Sequence, residues 1–186
     1  MVEQSGTVFW LTGLSGSGKS TIGHLLTNKL RLLGHTVVLL DGDALREVSG
    51  QIFGHERDQR IEASLLYSRF CKLLADQNIH VVCATISLFH ETQEWNRGHM
   101  NHYIEVFIDV PLVELTQRDS KNIYSQANAG HLKNVVGIDI SPDYPKKPDL
   151  IIQNYGNIKP EDAVALIINY FKKDEVHGDS RTNICG

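Results

Sequence analysis

At 186 residues, 41% of them hydrophobic, the chain falls in the size range of one domain with a core of its own. A formal net charge of −4 excludes a general nucleic-acid binder, which needs a basic surface to meet a phosphate backbone. No apolar run is long enough to span a bilayer and no leader-type segment opens the chain, so a soluble cytoplasmic protein with neither nucleic-acid nor membrane partners is expected.

Thr7-Val8-Phe9-Trp10-Leu11 reads as a buried strand. Next comes Gly13-Leu14-Ser15-Gly16-Ser17-Gly18-Lys19-Ser20, which satisfies the phosphate-loop pattern G-x-x-x-x-G-K-S/T at every fixed position. Apolar residues then recur at helical spacing from Lys19 to Leu33. In this context the glycines let successive backbone N–H groups and a helix N-terminus face anionic oxygens, with Lys19 reaching the terminal phosphates and Ser20 a magnesium ion. A bare strand-to-helix turn is the plain alternative, and the flanking pattern argues against it.

After the turn at Gly34-His35, Val37-Val38-Leu39-Leu40 suits a strand buried on both faces, and it ends in Asp41-Gly42-Asp43. Carboxylates at the carboxyl end of a parallel strand face the crevice where open α/β sheets bind ligands. There they can hold magnesium or accept a proton; a helix cap for Asp41 and a solvated turn for Asp43 are the plain alternatives. Residues Ser49 to Arg60 read as a polar loop able to close over a second substrate, with Arg46, Arg57 and Arg60 as its cations. A helix is expected from Ile61 to Leu74, a strand from Ile79 to Ala84 leading to Thr85-Ile86-Ser87, and a polar helix or loop from Glu91 to Asn101. Tyr103 to Asp109 reads as a strand and Pro111 to Arg118 as a helix.

The stretch from Arg118 to Pro148 carries Lys121, Lys133, Lys146 and Lys147 among glycines and prolines, as a mobile basic lid would; an ordinary solvated connection is the alternative. Leu150-Ile151-Ile152 gives a last strand and Pro160 opens a closing helix through Phe171. Residues 1–172 are thus expected to form one phosphate-loop domain, and 173–186 a disordered tail. The cysteines, Cys71, Cys83 and Cys185, and the nine histidines lack metal-ligand spacing and are expected to be reduced, core or surface residues. The fold expected is α/β of the P-loop type: three layers, a central parallel sheet and a basic lid.

Taken together, the residues resemble the adenylylsulfate kinases, which use ATP to phosphorylate the ribose 3′-hydroxyl of adenosine 5′-phosphosulfate. The resemblance rests on Gly13 to Thr21, Asp41-Gly42-Asp43 with Arg46, Gly54, Arg60 and Glu62, Ile86-Ser87, Phe107-Ile108-Asp109 with Pro111-Leu112, Arg118-Asp119 with Lys121 and Tyr124, and Ala129-Gly130, Lys133 and Gly137-Ile138-Asp139. It implies that Gly13 to Thr21 hold ATP and magnesium, with Asp41 beside Ser20 on the metal. It further implies that Asp43 orients and deprotonates the attacking hydroxyl. Arg46 and Arg60 would hold the second nucleotide, Arg118 would pack on the ATP base, and Lys121 and Lys133 would close the lid over the phosphates. Ser87 matches a family serine assigned as a phosphoenzyme intermediate, although direct in-line transfer needs only positioning and charge stabilisation. A homodimer is allowed for as the assembly.

Departures from the family pattern gather at the second substrate. His55 and Val135 stand where the family has two phenylalanines sandwiching adenine, and Ala63 and Gly50 stand where it has asparagines. Its Ile-Ser-Pro-Tyr/His-Arg run continues here as Ile86-Ser87-Leu88-Phe89-His90. A related branch, the cytidine diphosphoramidate kinases of bacterial capsule biosynthesis, acts on a cytidine nucleotide, and the altered pocket is similar to what such an acceptor would need. Two other classes compete. A GTP-dependent switch lacks support, since Asn28-Lys29 is followed by Leu30-Arg31 and not by a guanine-reading N/T-K-x-D, and no D-x-x-G follows a strand. A degenerate binding module is disfavoured by intact Lys19, Ser20, Asp43 and Lys121.

Overall fold

The computed structural model describes residues 5–50, 52–119 and 121–181, with side-chain burial described as far as residue 174. Five strands, β1 (Val8–Thr12), β2 (Val37–Asp41), β3 (His80–Ala84), β4 (Tyr103–Asp109) and β5 (Leu150–Gln153), form one sheet in the order β2-β3-β1-β4-β5. All four pairings are parallel. Seven helices accompany them: α1 (Lys19–Leu32), α2 (Gly42–Val48), α3 (Arg57–Ala75), α4 (His90–His99), α5 (Leu112–Arg118), α6 (Ile123–Asn128) and α7 (Pro160–Arg181).

The sheet is covered on both faces, as a parallel sheet built from helical crossovers must be. Strand alternation divides the core. Phe9 and Leu11 of β1 join Val82 and Ala84 of β3 on the face covered by α1 and α7, while Val8, Trp10, Val81 and Cys83 face α3. On α1, Ile22, Leu26 and Leu30 recur every four residues and are fully buried on the sheet. Truncating Leu26 to Ala would cost about 2–5 kcal/mol. A third cluster, including Leu14, Phe89, Leu115, Tyr124, Val135 and Ile140, lies under the lid and ties it to the phosphate loop.

Parallel register brings all functional strand ends to one edge. Asp41 pairs with Ala84, and Ala84 with Leu11, so the phosphate loop, the Asp41-Gly42-Asp43 turn and Thr85-Ile86-Ser87 emerge side by side. Four boundaries differ from expectation. Helix α3 begins at Arg57, within the expected polar loop, because Gln59 Oε1 reaches back to accept from the Glu56 N–H at 3.3 Å and so starts the helix early. The helix or loop expected from Glu91 to Asn101 is a helix, α4, that starts one residue earlier at His90 and ends at His99. The basic lid is not structureless: it contains α6, whose first amides at Tyr124 and Ser125 donate to the Asp119 carboxylate at 3.0 and 2.9 Å. The closing helix continues past Phe171 to Arg181, into the tail expected to be disordered. The rest of that tail, residues 182–186 with Cys185, lies outside the described residues.

Candidate active site

The phosphate loop is shaped by what its glycines permit. Gly18 adopts φ +94°, and a Cβ there would lie 2.4 Å from Asn154 Nδ2, so no other residue fits. Asn154 occupies that space in order to donate from Nδ2 to Ser17 O at 2.8 Å, which fastens the loop to the end of β5. A Cβ on Gly13 would lie 2.5 Å from Ile108 O, so that close approach too needs a glycine.

Lys19 is 8% exposed at the start of α1, and its ammonium donates to Leu14 O at 2.7 Å and Ser17 Oγ at 3.3 Å. Burial and then the nearby Lys121 charge push its pKa down to about 7, against the opposing pull of Asp41 and Asp43. A buried ammonium so destabilised is matched to an anionic ligand that would restore its charge balance. Ser20 Oγ donates to Asp41 Oδ2 at 2.6 Å, and Asp41 Oδ1 accepts from the Asp43 N–H at 3.0 Å. Asp41 therefore caps α2, the plain alternative for it, and also meets Ser20. Across the opening, Lys121 Nζ forms an ion pair with Asp43 Oδ2 at 2.5 Å between largely exposed groups. These hard oxygen donors fit a magnesium ion, which favours carboxylate, hydroxyl, water and phosphate oxygens. Among the described residues no cluster of three or more His, Cys, Asp or Glu side chains offers an all-protein metal cage, and magnesium bound with phosphates does not require one.

The phosphate loop opens into a cleft of about 500 Å³. Its near half is lined by Ser15, Gly16, Gly18, Lys19, Ser20 and Thr21, with the Asp41, Asp43 and Lys121 charges near Lys19; Arg46, His55, Arg60, Ala63, Ile86 and Ser87 line the rest, its far half. Arg60 is held by donating from Nε to His55 O and from Nη2 to Asn134 O, both at 2.8 Å. Burial and the neighbouring Arg46 charge lower its pKa. The same burial, followed by Arg46 and Arg60, lowers that of His55. Two guanidiniums placed together at a half-buried wall suit a bound anion.

Several expected residues do not line the cleft. Gly13, Leu14 and Ser17 act from behind the loop, with Leu14 buried in the third cluster and Ser17 fully buried beneath Lys19. Arg118 donates from Nη2 to Asn154 O at 2.8 Å. Lys133 is exposed on the lid, away from the cleft wall. Val135 is 6% exposed within the third cluster, its N–H donating to the Asp139 carboxylate, and so does not form the second wall expected of it. Ser87 lines the cleft with other hydroxyls as its side-chain partners and no carboxylate, lysine or histidine hydrogen-bonded to it among the described residues. Thr85 and Phe89, from the stretch after β3, line it too, and so do Ser64, Tyr67 and Ile123, to which the sequence assigns no role. Ser64 and Tyr67 follow Arg60 at helical intervals on α3, a signal present in the sequence. Asn154 had none, because its role depends on packing against a loop far away in the chain.

Residues 5–153 match the family model described as adenylylsulphate kinase. The cytidine diphosphoramidate kinase of Campylobacter jejuni subsp. jejuni serotype O:2 is 43% identical over 161 residues, covering 87% of this chain and 94% of that protein. The adenylyl-sulfate kinase of Clostridium acetobutylicum is 38% identical over 177 residues, covering 95% and 88%. Among solved structures, the Mycobacterium tuberculosis APS kinase CysC in complex with AMPPNP and APS superposes with a TM-score of 0.85 at 32% identity, covering 90% of this chain and 98% of that one. The described residues contain no helix long and apolar enough to cross a membrane. With the phosphate loop, the carboxylate turn and the basic far wall in one cleft, and with these matches along most of its length, the chain belongs to the adenylylsulphate kinase family and is a nucleotide kinase.

Proposed function

We propose that the cleft moves the γ-phosphoryl group of ATP to the ribose 3′-hydroxyl of a second nucleotide, with adenylylsulfate as the acceptor. The observation that supports this is that Lys19, Asp43, Arg46 and Arg60 line a single cleft, with Asp43 paired to Lys121. ATP binds through the amides of residues 15–20 and the Lys19 ammonium, which neutralise phosphate charge as it develops. Asp43 orients the acceptor hydroxyl and takes its proton as the new O–P bond forms; the bond between the γ-phosphorus and the bridging oxygen breaks, and ADP leaves. Magnesium would be held by Ser20 with Asp41 nearby, where it supplies charge stabilisation on the phosphates. Arg46 and Arg60 hold the anionic group of the acceptor, and Lys121 exchanges its contact with Asp43 for the transferring phosphate. Ser87 is assigned no covalent step, because in-line transfer needs no phosphoenzyme and among the described residues no carboxylate, lysine or histidine is hydrogen-bonded to its hydroxyl.

A second reading takes a cytidine diphosphate derivative as the acceptor. It is favoured by His55 standing on the wall in place of an aromatic hydrocarbon ring, by Val135 lying away from it, and by the Campylobacter relative. Losing stacking on a base face removes about 1–3 kcal/mol, enough to change the preferred base. The deciding experiment compares kcat/KM for adenylylsulfate and cytidine diphosphoramidate with ATP and magnesium, in the parent and in His55→Phe. A preference of about tenfold, or roughly 1.4 kcal/mol, for adenylylsulfate in the parent would eliminate the cytidine reading, and the opposite preference would eliminate the first. Turnover of neither would sink both.

A further inference from the structure

Three hydroxyls form the floor of the far half of the cleft, and the transfer step does not use them. Thr85 Oγ1 donates to Ser87 Oγ at 2.5 Å, and Ser87 Oγ lies 2.6 Å from Ser64 Oγ, either of which can be the donor. The three residues line the cleft but are only 3% (Ser64), 4% (Thr85) and 5% (Ser87) exposed. Ser87 holds φ at +29°, a conformation an L residue adopts only when its surroundings impose it.

Counting protons shows what the chain of hydroxyls lacks. Three hydroxyls bring three protons, and the two hydrogen bonds within the chain use two of them. The third sits on Ser64 or Ser87, according to which way their bond runs, and among the described residues no hydrogen bond takes it up. At the other end Thr85 Oγ1 gives its proton to Ser87 and keeps lone pairs able to accept. With Ser64 donating to Ser87, the free proton is on Ser87 and the floor presents the Thr85 acceptor beside the Ser87 donor; leaving such groups unmatched in a buried site is unfavourable. Its complement is a ligand edge with an N–H donor beside a ring-nitrogen acceptor. Cytosine offers this as its exocyclic amine and N3, and adenine as its exocyclic amine and N1; the oxo bases uracil and hypoxanthine present the reverse order.

We propose that Ser64, Thr85 and Ser87 are the subsite that reads the acceptor base, selecting an amino-bearing edge over its oxo counterpart. This rests on the nucleotide-acceptor reading of the same cleft but not on which of the two acceptors is right. A site built to hydrogen-bond a polar edge rejects the analogue that lacks it far more strongly than an apolar wall can.

The test is calorimetric binding to the protein loaded with magnesium and an unhydrolysable ATP analogue, using two pairs of probes: cytidine against uridine diphosphate, and adenosine against inosine 5′-phosphate. The pair whose amino member binds more tightly is followed. The parent should prefer the amino base by about tenfold or more. Thr85→Val, which keeps shape and removes the hydroxyl, should cut that preference at least fivefold with little change in affinity for the ATP analogue. Ser64→Ala should cut it at least threefold, and it keeps the test open should Val disturb the end of β3. A subsite acting only through packing would weaken both members of the pair alike. No amino preference in the parent, or a preference that survives in both variants, overturns the proposal. An amino preference in the parent that both variants lose, with no phosphoryl transfer to either acceptor, instead overturns the acceptor reading of the far half and leaves the subsite standing.

Discussion

The two halves of the cleft are built in different ways. The phosphate half comes from one run of residues, 15–21, and works mainly through backbone amides whose directions are fixed by glycine conformations and by the start of α1. The acceptor half draws Arg46 from α2, His55 from a loop, Arg60, Ala63, Ser64 and Tyr67 from α3, and Thr85 to Ser87 from beyond β3. It works through side chains. On the proposed reading, the part of the reaction common to phosphoryl transfer is carried by local geometry, whereas the choice of acceptor is carried by contacts between distant segments. The first resists substitution because its φ values and close approaches admit few residues. The second can change one side chain at a time.

The comparison is broken most severely at Lys19. Lys19→Ala removes the charge at the phosphate end and should lower kcat/KM by about 10³-fold or more, or roughly 4 kcal/mol of transition-state stabilisation. The variant should retain its fold, since Lys19 itself bears a burial cost. Steady-state rates with a melting curve check both parts, and a rate within tenfold of the parent would remove the phosphate loop from the chemistry. Asp43→Asn comes next: it keeps size, removes the base, and should lower kcat by about 10²-fold or more while the acceptor KM moves little. Arg60→Ala belongs wholly to the acceptor half. It should raise the acceptor KM by about tenfold and leave the ATP KM within twofold, the order of one charge-assisted contact. A kcat loss from Arg60→Ala with an unchanged acceptor KM would reverse the two assignments.

What could be read in the sequence follows the same division. The strand, loop and helix at residues 7–33 are consecutive, so residue type and spacing define them together. The parallel sheet follows from alternating apolar strands and helices, each able to bury one face. Val135 shows where such reading ends. Its position in the resemblance puts it on the acceptor wall, but Asp139 draws the local backbone into a turn by accepting the amides of Asn134, at 2.5 Å, and Val135. The side chain then packs under the lid with Leu14 and Tyr124. Asn154 is the converse case: a polar residue at the end of an edge strand that acquires a role only when β5 lies beside the phosphate loop. In both, the deciding contact is tertiary.

The smallest expected effect separates the halves by protonation. Lys19 in the free protein has a pKa of about 7, lowered first by burial and then by Lys121, and phosphate binding favours its charged form. Below pH 7 Lys19 is already protonated and ATP binding needs no proton from solvent. Above pH 7 binding must take up a proton, so affinity falls as pH rises, by at most about tenfold per pH unit until the pKa of the bound state is reached. His55 in the far half has its pKa lowered, by burial and then by Arg46 and Arg60, so it is neutral above pH 7 and adds no such slope there. Calorimetry in two buffers of different ionisation heat should therefore show close to one proton taken up with ATP at about pH 8.5 and far less at about pH 6, against none with the acceptor at about pH 8.5. Lys121→Met should flatten the ATP dependence by removing a repulsive charge from Lys19. Proton uptake that is equal for the two ligands at about pH 8.5 would show that the buried ammonium is not what couples nucleotide binding to pH.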